Sequence, residues 1–95
     1  MLRIDLITQS GSQAELRVEG WIAGEGVALL AVEVSRHLQE KEKLVLDLKG
    51  VDFIDEAGIA LLAGWPAEQL ELRGGSVYLR MLLDRRGLGR GPQPP

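Results

Sequence analysis

The chain has 95 residues, a formal net charge of −3 and no cysteine. That length fits one domain, and the missing cysteine excludes disulfides, thiol nucleophiles and thiolate metal sites. The charge is uneven: Arg85, Arg86 and Arg90 lie in a terminal stretch without acids, so removing their three positive charges from −3 leaves −6 for residues 1–84. An acidic body argues against nucleic-acid binding through phosphates and is compatible with a basic protein partner. No apolar run reaches the roughly 20 residues needed to cross a bilayer. Asp5 interrupts the apolar amino-terminal stretch, which therefore does not read as a secretory signal. Aromatics make up only 4% of the chain, so aliphatic side chains must build the core.

Leu2, Ile4 and Leu6 alternate with Arg3 and Asp5, the period of a half-buried strand. Ser10, Gly11 and Ser12 read as a turn. Alternation resumes with Ala14, Leu16 and Val18 against Glu15, Arg17 and Glu19, so the two segments predict an antiparallel hairpin. Trp21, at the end of the second strand, is expected to pack in the core. Gly20, Gly24 and Gly26 then break the pattern, and the period changes. Val27, Leu30, Ala31, Val34 and Leu38 recur at helical spacing, with Glu33, Arg36, Gln39 and Glu40 opposite, which predicts a helix over about residues 25–41. Lys41 and Lys43 suit the negative end of its dipole. His37, the one histidine, falls on the polar side near Glu33 and Glu40 and is expected in solvent, because a metal needs more ligands than these.

Leu44, Val45, Leu46, Asp47 and Leu48 form a short apolar run suited to a strand covered on both faces. Strands either side of a helix imply a parallel pair joined by a right-handed crossover. A second helix is predicted from about Ala57, with Ile59, Leu62, Ala63, Pro66 and Leu70 on one face. Pro66 lacks an amide hydrogen, so a kink or break is expected near Gly64 and Trp65. Trp65 is expected to bury against the sheet; exposed, it would be a binding hot spot. Gly74 and Gly75 end this segment, and residues 76–81 read as a last strand. Residues 82–88 leave room for a turn or two of helix. The domain is placed at residues 1–84, with residues 85–95 as a Gly/Pro-rich basic tail expected to be disordered. The order strand, strand, helix, strand, helix, strand predicts an α/β fold: a mixed four-stranded sheet, helices on one face, and a shortened carboxyl end.

Residues 44–65, LVLDLKGVDFIDEAGIALLAGW, carry the most information. They read as an apolar strand, an acidic turn and an apolar helix. Asp55 is a good helix cap, worth about 0.5–2 kcal/mol, Glu56 adds charge at the positive end of the dipole, and Gly58 permits close backbone approach. Taken alone, these residues start a helix well. The stretch also resembles the signature of the STAS domain, the family of anti-sigma factor antagonists and of the cytoplasmic tails of sulfate transporters. In that family the turn usually ends in Asp-Ser-Ser-Gly or Asp-Ser-Thr-Gly, and the second hydroxyl is the phosphorylation switch. Asp55 takes the place of the family's acid, Glu56 that of the first hydroxyl, and Ala57 that of the phosphorylated residue. Ala57 cannot carry a phosphate. Glu56 supplies a single charge one position away, a weak substitute for the two of a phosphate.

The resemblance implies a non-enzymatic, cytoplasmic, bacterial binding module without cofactor or metal. Its partner surface would comprise Asp52, Asp55, Glu56, Ala57, Gly58, Leu61 and Trp65, on the turn and the following helix. The implied partner is an anti-sigma factor of the kinase type, bound without phosphorylation switching. Two alternatives stay open: a subunit contacting the ATPase of an ABC-type lipid transport complex, and a self-associating scaffold in which a homodimer covers apolar surface. Catalysis has no support from the residues. Asp47, Asp52 and Asp55 lack an accompanying base, nucleophile or metal partner, the serines lack an adjacent histidine, and the glycines do not make a phosphate loop.

Overall fold

The computed structural model describes residues 1–85. Strands β1 (Leu2–Ser10) and β2 (Gln13–Ile22) form the hairpin, followed by helix α1 (Glu25–Glu40), strand β3 (Lys43–Ile54), helix α2 (Glu56–Ala63), strand β4 (Leu70–Arg73) and helix α3 (Val77–Arg85). The sheet order is β1-β2-β3-β4. β1 and β2 are antiparallel, whereas β2 with β3 and β3 with β4 are parallel, so the sheet is mixed. Tight turns suffice for the first pairing; the parallel pairings need α1 and α2 as crossovers.

Alternation along the strands decides which face is covered. Ala14, Leu16 and Val18 of β2, Leu44, Leu46 and Leu48 of β3, and Leu70 and Leu72 of β4 share one buried cluster. The same cluster takes Leu30 and Val34 from α1, Ile59 and Leu62 from α2, and Leu79 and Leu83 from α3. All three helices therefore pack on one face. Each fully buried aliphatic side chain contributes about 1.5–3 kcal/mol of transfer free energy.

Several expectations need correction after α2. The helix stops at Ala63, and Pro66 lies outside it. The Pro66 carbonyl accepts from the amides of Gln69 and Leu70, both at 3.0 Å, which turns the chain directly into β4. Leu70 thus belongs to a strand and not to the face of α2. Residues 76–81, read as a strand, begin helix α3 instead. Val77 and Tyr78 are good strand residues, but Leu79 and Met81 favour a helix, and Ser76 Oγ caps it by accepting from the Leu79 amide at 3.1 Å. Leu79 and Leu83, one helical turn apart, then reach the core. The order of strands and helices survives with its last strand moved forward. Apart from Arg85, which closes α3, the tail expected over 85–95 lies outside the described residues.

Candidate functional site

The signature turn sits at the carboxyl ends of the parallel strands β2 and β3. Ile54 pairs with Ile22 at the last rung, and the Asp55 amide donates to the Ile22 carbonyl at 3.1 Å. The Asp55 side chain then does two things. Oδ1 accepts from the Gly58 amide at 2.7 Å, capping α2, and Oδ2 accepts from the Gly24 amide at 3.2 Å, tying the turn to the loop that starts α1. One carboxylate satisfies donors at the starts of two helices, where the dipoles favour negative charge.

Gly58 is buried, and its lack of a side chain is required by packing. A Cβ there would stand 2.8 Å from Ile22 Cγ2, from the Ile22 carbonyl oxygen and from Ile54 Cγ1. The first turn of α2 therefore rests directly on the ends of β2 and β3. Of the residues assigned to a partner surface, Asp52, Glu56 and Ala57 are exposed. Asp55 is half-buried in its capping role, while Leu61 and Trp65 are half-buried and pack on the core cluster. Sequence reasoning passed over Ala60 and placed Ala63 on the face of Ile59 and Leu62; both alanines are exposed, and with Ala57 they give α2 a shallow outer side.

Trp21 is not a core residue. It is 55% exposed and meets Phe53, 43% exposed, edge to face, with ring centroids 5.8 Å apart and planes at 61°. The signal was present in the alternation: with Ala14, Leu16, Val18 and Ile22 inward, position 21 must point outward. His37 is half-buried and not fully in solvent. Its Nδ1 lies 2.9 Å from the Glu33 carbonyl, an acceptor, so Nδ1 carries the proton. It borders an open groove of about 350 Å³ between β1 and α1, floored by Ile4, Leu6 and Leu16 and rimmed by Glu33, Arg36 and Glu40. Among the described residues, no group of three or more His, Cys, Asp or Glu side chains is placed to hold a metal. No helix of the described residues is long and apolar enough to cross a membrane.

On the helix-free face, charge is organised over β2, β3 and β4. Arg73 bridges Glu15 at 3.6 Å and Glu71 at 2.9 Å, Lys43 meets Glu71 at 3.0 Å, and Arg17 lies 4.0 Å from Asp47. Hydrogen bonds from Lys43 and then Arg73 hold the Glu71 carboxyl below its ordinary value, outweighing the opposing effect of desolvation. Glu71 in turn raises the Arg73 guanidinium above its own.

These features define a class: a small α/β domain whose parallel strands end at a carboxylate-capped helix start. The sequence profile of the family described as "Mlab, STAS domain" matches residues 6–89. The chain belongs to the STAS domain family. The fold is also that of solved anti-sigma factor antagonists. The unphosphorylated antagonist SpoIIAA superimposes with a TM-score of 0.77 at 18% identity, covering 92% of this chain and 83% of that one. An antagonist from Mycobacterium paratuberculosis gives 0.72 at 18% identity, over 90% of this chain and 79% of its own. The phosphorylated Bacillus SpoIIAA gives 0.72 at 18% identity, over 92% and 86%. No curated protein matches the chain.

Proposed function

We propose that this protein is a non-enzymatic interaction module of the bacterial cytoplasm that binds an anti-sigma factor of the kinase type without phosphorylation switching. The observation that carries the reading is the turn itself. Asp52, Glu56 and Ala57 are exposed beside a helix start held rigidly by Asp55 and Gly58. The likeness to antagonist folds supports the choice of partner. Ala57 stands where the family's phosphorylated hydroxyl residue stands, so docking is constitutive. The binding surface runs from Asp52 through Asp55, Glu56, Ala57 and Gly58 to Leu61 and Trp65. Gly58 acts through packing, while Leu61 and Trp65 offer only their half-exposed sides.

A second reading, a subunit seated on the ATPase of an ABC-type lipid transport complex, is favoured by the same missing hydroxyl, because such a partner requires no phosphate switch. The test is capture by the tagged full chain of candidate anti-sigma kinases and ABC ATPases from its host, comparing wild type with Ala57→Glu. Capture of the kinase, abolished by the added carboxylate, is the expected result. Capture of the ATPase in its place selects the second reading, and capture of neither removes both.

A further inference from the structure

We propose that Trp21 and Phe53, with Glu19 and Asp52, form a docking patch for an arginine- or lysine-bearing segment of a protein partner. The patch lies on the helix-free face of the sheet. It shares Asp52 with the surface described above but rests on the strands and not on the turn.

The two rings make an apolar surface that no other element of the described residues covers, since α1, α2 and α3 all pack on the opposite face. Their edge-to-face contact leaves the rings more than two-fifths accessible, in reach of a cation above a ring plane. The neighbouring acids are placed to assist. Glu19 lies two residues before Trp21, on the same side of β2, and its side chain leans across Gly50 of β3. A Cβ at Gly50 would stand 2.7 Å from Glu19 Cγ and 3.2 Å from its Oε2. Glycine at position 50 therefore lets this carboxylate lie over the sheet. Asp52, directly before Phe53, is exposed.

Charge complementarity selects the occupant. Further along the same face, Glu15, Asp47 and Glu71 are answered by Arg17, Lys43 and Arg73. Glu19 and Asp52 have no ion-pair partner among the described residues, and Arg3, which faces Glu19 across the hairpin, is engaged by Asp5 at 2.9 Å. An aromatic pair beside two carboxylates that have no ion-pair partner among the described residues offers a guanidinium or ammonium exposed ring surface and counter-charge. It would repel an acidic segment and give an aliphatic one no electrostatic gain.

The test is an NMR titration of the full chain, following the indole N–H resonances of Trp21 and Trp65. The probe is a capped glycine–arginine pentapeptide, compared with its citrulline counterpart. The arginine peptide is expected to shift Trp21 and leave Trp65 in place, and the citrulline peptide to shift neither. Glu19→Gln combined with Asp52→Asn should weaken the arginine titration about fivefold, as should raised salt, and Phe53→Leu about threefold. An unmoved Trp65 resonance in the free variants shows that the fold is retained. An unmoved Trp21, or equal shifts with citrulline, overturns the proposal. It is equally overturned if Arg86→Gln with Arg90→Gln displaces the Trp21 resonance in the free chain, which makes the chain's own tail the occupant. A Trp21 resonance that depends on protein concentration overturns it in favour of a second copy. Ala57→Glu should leave this titration unchanged while abolishing kinase capture, so failure here and failure of the proposed function are separate results.

Discussion

The helix-free face of the sheet divides into two halves built on the same strands but on different physics. Over the paired half, Val45 is fully buried although no helix of the described residues covers it and it lies outside the main core. Its neighbours across the strands are Glu15 and Glu71, and the side chains of Lys43, Glu71, Arg73 and Glu15 join in ion pairs around it. Long charged side chains bury their stems while their heads stay in water, so the lattice acts as a thin lid over one valine. At the other half the strands end in Trp21 and Phe53, which stay exposed beside Glu19 and Asp52, acids without an ion-pair partner among the described residues. A charged surface closes itself when its signs alternate across the rungs. Where aromatics and like charges meet, it remains available to another molecule.

Substitutions should separate the halves, the largest effect first. Val45→Ala removes two buried methyl groups from the paired half and should cost about 2 kcal/mol in urea unfolding; a cost near zero would mean the lattice buries nothing of consequence. Asp55→Ala should come next, at about 1–2 kcal/mol, because it releases Gly58 and Gly24 together and loosens the strand ends that carry the aromatic pair. Amide exchange at Gly24 and Gly58 should quicken in that variant, and exchange unchanged at Gly24 would argue against the double tie.

In the aromatic half, Trp21→Ala and Phe53→Ala should each cost about 1 kcal/mol or less, the scale of one exposed edge-to-face pair. A loss as large as that of Val45→Ala would show that the rings serve the fold more than a partner. Glu71→Gln should cost about 0.5 kcal/mol at neutral pH, because the pair is largely solvated. Its pH dependence is the sharper readout. The folded Glu71 pKa lies below its ordinary 4.5, so its contribution is present above that value and is lost as pH falls through the folded pKa. Wild type and variant should converge in acid, and a constant difference across pH would remove Glu71 as the source. Glu19→Gln with Asp52→Asn should change stability least, within about 0.5 kcal/mol.

The hairpin, α1 and the start of α2 were legible because each carries one unambiguous period and a local punctuation mark. Val27, Leu30, Val34 and Leu38 allow only a helix, and Asp55 three residues before Gly58 marks a cap. The turn's role in joining two helix starts was not legible, since the Gly24 amide lies 31 residues away along the chain. The exposure of Trp21 was readable from alternation alone, but aromatic character weighed more heavily than phase. The stretch after Pro66 was misread because short apolar runs satisfy both periods.

By itself the sequence determined the α/β order, the family of the signature and the absence of a hydroxyl at Ala57, all carried by local pattern and residue identity. Tertiary structure decided that residues 77–85 are helical: Leu79 and Leu83 enter the core while Met81 between them stays exposed, a division that the alternation of a strand does not allow. It decided that Gly58 must stay without a side chain, because Ile22 and Ile54 already occupy the space. It also decided which acids on the open face are neutralised, since ion pairing depends on which strands become neighbours.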